Sequence, residues 1–95
     1  MDTERIIIRE YIQYSGIEPQ FITLLEENGL IHTQEIENEH YLLSDELDEL
    51  ERYTRMYYDL SINIEGIDAI HHLLQRIQEL QDEMRALRNR VRFLE

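Results

Sequence analysis

The sequence contains no cysteine, no tryptophan and no lysine, and only one proline and three glycines. Without cysteine there are no disulfides, no thiolate catalysis and no cysteine-based zinc site, which fits a reducing compartment. No hydrophobic run approaches the roughly 20 residues needed to cross a bilayer. The opening M-D-T-E-R-I-I-I-R carries an apolar run of only three residues, so it does not read as a signal peptide. A soluble, cytoplasmic protein with no membrane partner is expected.

Positive charge is the other scarcity. The chain has a formal net charge of −12, and all nine of its cations are arginine. Residues 1–75 hold 17 acidic residues against four Arg, a balance of −13, whereas residues 76–95 hold four acidic residues against five Arg, a balance of +1. Between Arg9 and Arg52 there is no cation at all. A duplex is usually bound through roughly six to ten phosphate contacts, so this distribution argues against DNA as a partner.

What remains is helix-leaning and globular: 42% hydrophobic and 32% charged residues over 95 positions. A chain of that length buries only about 60–65% of its unfolded surface, so self-association adds useful burial. Ile6-Ile7-Ile8 is short and β-branched and predicts a small strand before a helix starting near Arg9, which buries Ile12 and one or both of Tyr11 and Tyr14. Gly16 supplies a turn, Pro19 fits the first position of a second helix, and Phe21, Ile22, Leu24 and Leu25 follow at helical spacing until Asn28-Gly29. Two short helices around a tight turn are the pattern of a helix-turn-helix.

Residues 32–43 alternate in part around the polar centre Glu37-Asn38-Glu39 and predict a β-hairpin wing. Ser44 is a natural N-cap for a helix to about Tyr58 that buries Leu47, Leu50, Tyr57 and one face of Tyr53. Asn63 caps the last helix. Along it, Ile70, Leu73, Ile77, Leu80, Met84, Leu87, Val91 and Leu94 recur in alternating steps of three and four. That is a heptad seam, and a stripe so narrow on a helix so long predicts a partner helix, most economically from a second copy. Parallel pairing matches Glu83 with Arg88 and Arg90 with Glu95, and antiparallel pairing matches Glu83 with Arg90, so the charges permit both orientations. The expected fold is mainly α: a winged helix-turn-helix head over 1–62 with a small β wing, then a coiled-coil dimerisation helix over 63–95.

The order strand, helix, turn, helix ending in N-G-L-I, wing, S-D-E-L helix and long terminal helix resembles the MerR-type regulators across nearly the whole chain. In those regulators the second helix carries a leucine, arginine, tyrosine, tyrosine, glutamate run, where this chain has Ile22-Thr23-Leu24-Leu25-Glu26. Their wing ends in a tyrosine-arginine pair, replaced here by His40-Tyr41. The arginine-free stretch between Arg9 and Arg52, the link Y-D-L-S-I-N-I-E-G-I and the Arg-bearing L-Q-D-E-M-R-A-L-R-N-R-V-R-F-L-E also resemble the CbpM-like chaperone modulators of the same superfamily. That resemblance implies a protein that binds the J-domain of a DnaJ-like (CbpA-type) co-chaperone and occupies the surface its DnaK-type partner needs. The alternative is a dimeric DNA-binding transcriptional regulator, and a passive dimeric scaffold is a third reading.

For protein binding, Glu26, Glu27, Glu35, Glu37 and Glu39 gather on the second helix and the wing, a set that suits a basic partner surface. An acidic run is otherwise a solvated face. Phe21, Tyr41 and Leu42 are candidate apolar anchors, each with core packing as its other place. His71-His72 point about 100° apart on a helix and lack a helical ligand partner, so no metal site is expected. His32 and His40 flank the wing as surface or interface histidines, and Tyr53, Tyr57 and Tyr58 read as packing residues. With no nucleophile elbow or phosphate loop and no room for a catalytic cleft, neither an enzyme nor a cofactor is expected.

Overall fold

A computed structural model describes residues 4–94. Strand β1 (Arg5–Ile7) runs directly into helix α1 (Ile8–Ser15), which ends where Gly16 takes a left-handed φ of 70°. Helix α2 (Pro19–Glu27) starts on its proline and is closed by Asn28 and Gly29, the latter also at φ 70°. Glycine adopts that conformation without the clash a Cβ brings, which is why the chain reverses at these two points. Strands β2 (Thr33–Ile36) and β3 (Glu39–Leu43) form the expected hairpin, turning on Glu37 at φ 51° and Asn38 at φ 66°. Two successive positive φ values match the right-handed twist of the flanking strands. The sheet order is β1-β3-β2, all antiparallel.

The segment after the wing departs from the expected single α-helix capped by Ser44. Ser44–Glu46 is a 3-10 turn whose N-cap position falls on Leu43, with no side-chain cap, and the Ser44 N–H donates to the Glu4 carbonyl at 2.8 Å beside β1. Helix α3 (Leu47–Thr54) follows, and Arg55–Asp59 then widens into a π turn closed by Leu60 N–H on the Arg55 carbonyl at 3.1 Å. Ser61 carries the chain over at φ 56°. Helix α4 (Ile64–Leu94) begins as expected on Asn63, whose Oδ1 accepts the Gly66 N–H at 2.8 Å.

The core lies between α1, α2, α3, the inner face of the sheet and the first turns of α4. Ile8, Tyr11, Leu25, Leu42, Leu50, Tyr53, Ile64 and Ile67 are among its buried members. Of the two tyrosines on α1, Tyr11 is the one buried, and Tyr14 is 92% exposed. Tyr53 is wholly buried rather than half-covered, while Ile12, Leu47, Tyr57 and Ile70 pack at the margin of the core. Beyond Ile70, α4 leaves the head, and its 31 residues, roughly 45 Å at helical rise, account for most of the 58 Å long axis. Among the described residues no helix is long and apolar enough to cross a membrane. Met1 and Glu95, the outer limits of the two expected segments, and with Glu95 the expected Arg90–Glu95 pairing, lie outside the described residues.

Candidate interaction surface on the second helix and wing

Helix α2 turns one side inward. Phe21, Ile22 and Leu25 are buried, and Phe21 is only 2% exposed. The reason lies in the π turn, which swings two consecutive tyrosines onto its ring: centroids are 4.7 Å from Phe21 to Tyr57 and 5.4 Å to Tyr58. Tyr58 Oη also accepts the Glu18 N–H at 3.0 Å, fastening the start of α2 to the link. Phe21 is therefore a core residue and not a docking anchor. Leu42 is likewise fully buried, on the inner face of β3. Successive strand residues face opposite sides, so Tyr41 stands on the outer face, half-buried between its neighbours Ile7 and Gln34.

The other side of α2 carries Thr23, Glu26 and Glu27, all exposed. Thr23 donates its hydroxyl to the Pro19 carbonyl at 3.5 Å. Between this side, α1 and the wing runs an open groove of about 270 Å³ lined by Ile8, Ile12, Pro19, Ile22, Thr23 and Glu26, with Arg9, Glu39 and His40 along the remaining wall. Arg9 Nη2 meets Glu39 Oε2 at 3.2 Å, tying α1 to the wing. The hydrogen bond and the charge of Glu39 hold the Arg9 guanidinium still more firmly protonated than usual.

Of the acidic residues singled out by sequence, Glu26 and Glu39 meet in this groove. Glu35 is exposed and opposite His40 in the hairpin, Glu37 sits in the exposed turn, and Glu27 lies at the exposed end of α2. Tyr41 belongs to the outer sheet face rather than to the groove. Sequence reading missed Arg9 as part of this surface. Its partner is 30 residues away, and the only signal was that Arg9 is the last cation before the long cation-free stretch.

His32 and His40 do not meet: His32 Nδ1 lies 3.3 Å from Glu46 Oε1, and His40 lines the groove. His71 Nδ1 is hydrogen-bonded to Tyr53 Oη at 2.9 Å, whereas His72 lies against Asp68 one turn back. Among the described residues no cluster of three potential metal ligands occurs.

A family model described as MerR HTH family regulatory protein matches residues 6–89, which spans the head and most of α4. The chain belongs to this MerR family. No curated protein and no solved structure matches it. The exposed side of α2 presents Thr23, Glu26 and Glu27, and Arg9, the cation in the groove lining, is paired with Glu39.

The seam of α4 is the second surface. Ile70 packs against the head, but Leu73, Ile77, Leu80, Met84, Leu87, Val91 and Leu94 are exposed, from 42% at Leu80 to 84% at Leu94. Apolar residues left open in a regular stripe over six turns form a contiguous patch of the kind that marks an interaction face.

Proposed function

We propose that this MerR-family chain is a homodimeric chaperone modulator: it pairs through the α4 seam as a coiled coil and uses the α2–wing face to bind the J-domain of a DnaJ-like co-chaperone, blocking its productive contact with the DnaK-type ATPase. The observation that carries the reading is the charge of that face. Glu26, Glu27, Glu35 and Glu37 are exposed there with no ion pair among the described residues, and Arg9 is neutralised by Glu39. Such a face repels phosphate and steers toward a basic protein surface, raising the association rate. The resemblance of the arginine-free stretch between Arg9 and Arg52 and of the Y-D-L-S-I-N-I-E-G-I link to the CbpM-like modulators supplies the identity of the basic partner.

The test is titration of the purified J-domain of a CbpA-type co-chaperone against the protein at low and high salt, alongside J-domain stimulation of the DnaK-type ATPase. Binding weakens as salt rises, Glu26→Lys/Glu27→Lys slows association about tenfold, and the stimulated ATPase falls to its basal rate. No binding, or binding that strengthens with salt and ignores the charge reversals, rejects the proposal.

The second reading, a DNA-binding transcriptional regulator, is favoured by the family match over residues 6–89. A sharp, sequence-dependent gel shift at physiological salt would put it first. Capture of neither DNA nor any chaperone component would leave the passive scaffold.

A further inference from the structure

Burial of Phe21 and Leu42 changes what the interface has to do. Apolar anchors carry much of the affinity in protein complexes, while rim charges mainly set rate and salt dependence. Helix α2 turns Phe21, Ile22 and Leu25 inward, and the wing leaves Ile36 39% exposed beside the hairpin turn. Between α2 and the wing lies the groove.

Three features of that groove narrow its occupant. First, its floor is aliphatic: Ile8 and Ile22 lie at the base, with Ile12 and Pro19 beside them. Second, at about 270 Å³ it is small and is an open trough along the surface rather than an enclosed cavity. A single long side chain suits it better than a metabolite. Third, the two carboxylates that line it are in different states. Glu39 is matched by the Arg9 guanidinium at 3.2 Å, and Glu26 has no ion pair among the described residues. The protein thus already displays, on one wall, the pairing that the opposite wall leaves incomplete.

We propose that this groove seats one arginine or lysine side chain of the partner, its aliphatic stem on Ile8, Ile12, Pro19 and Ile22 and its charged head on Glu26. Long cationic side chains bury their stems along apolar surface while the head stays at the water boundary, which is the shape and chemistry of this trough. The Arg9–Glu39 pair closes the far wall and prevents Glu39 from drawing the incoming cation away. Specificity then comes from one cation in register with the groove and not from the summed acidity of the wing. The inference rests on the docking face proposed above and adds the contact that fixes its register.

Two variants separate shape from charge. Glu26→Gln keeps the outline of the groove and removes the charge, and Thr23→Phe fills the groove from its exposed rim and leaves every charge in place. The probe is the purified J-domain of a CbpA-type co-chaperone, with each of its surface cations replaced by methionine in turn, and thermal unfolding checks that the variants fold. Both variants weaken binding about tenfold. For one cation replacement, Glu26→Gln has no further effect, as expected when the two residues share one interaction. Unaltered affinity of both variants for a J-domain that still binds overturns the groove assignment and leaves the proposed function standing. A J-domain that does not bind the unaltered protein overturns both.

Discussion

Tyr53 Oη lies 2.9 Å from His71 Nδ1, and through that hydrogen bond the wholly buried phenol of α3 holds α4 where it leaves the head. The rings sit edge to face with centroids 6.0 Å apart. Burial first, and the negative charge of Glu49 second, push the phenol from its ordinary value of 10.0 up to about 12. Both causes disfavour the phenolate, so the neutral form keeps its partner at any physiological pH.

A pH-dependent stability follows from that shift. The folded-state value lies above the unfolded one, so stability from the neutral phenol is fully present below pH 10 and is lost as pH rises to about 12. Tyr53→Phe forfeits the hydrogen bond, about 1 kcal/mol in neutral solution, and declines less steeply across that alkaline window. Urea unfolding of both proteins at pH 8 and pH 11 reads the difference. A variant that loses as much stability as the parent between the two pH values would show that Tyr53 is not the responsible group.

Gly66 is needed for space. A Cβ built there meets Ile62 Cγ2 at 2.7 Å and Asn63 Oδ1 at 3.1 Å, and that oxygen is the one capping α4 through the Gly66 N–H. The Ile62 methyl cannot yield easily, because it sits on a branched carbon and its side chain packs against the core. Helix propensity alone favours alanine by about 1 kcal/mol. Overpacking costs about 1–3 kcal/mol and the weakened cap about 1 more, so Gly66→Ala is destabilising on balance and its melting temperature falls by about 5–15 °C. A melting temperature that stays level or rises would mean that propensity wins.

Much of this architecture is written locally. Gly16, Pro19, Asn28-Gly29, the polar Glu37-Asn38 turn and the Asn63 cap each act within a few residues of themselves, and each stands where its chemistry requires. What the sequence hides is decided at a distance. Four of the five residues Phe21–Leu25 are apolar, so the stripe marks a helix without saying which residues turn inward. Tyr57 and Tyr58, 36 and 37 residues away, pack on the Phe21 ring from the π turn Arg55–Asp59. Ser44 is likewise held by a contact distant in sequence: its N–H donates to the Glu4 carbonyl, and it opens a 3-10 turn instead of capping an α-helix. The acidic set was visible as composition, but its division between the groove, the hairpin and the end of α2 depends on strand register and on the Arg9–Glu39 pair.

The α4 seam offers the sharpest test of assembly. Leu73, Ile77, Leu80, Met84, Leu87 and Val91 stand between 42% and 62% exposed on a helix with nothing beside it, and a 31-residue helix gains little from its own propensity without a packed face. In a two-stranded coil, Leu80 occupies a d layer, where it inserts between four side chains of the facing helix. Leu80→Glu places a carboxylate there from each copy, two like charges removed from water at close range, and a buried unpaired charge costs about 3–5 kcal/mol. That loss exceeds a hundredfold in dimer affinity, so sedimentation at micromolar concentration finds the monomer mass. The head is untouched by the change, because Leu80 lies beyond Ile64, Ile67, Ile70 and His71, the α4 residues that meet the head among the described residues, so the circular dichroism of the variant retains a folded head. Asn89→Glu, at an f position on the opposite side of the same helix, leaves the dimer intact and separates seam burial from added negative charge. A Leu80→Glu protein that still sediments as a dimer would assign the association to another face of the molecule.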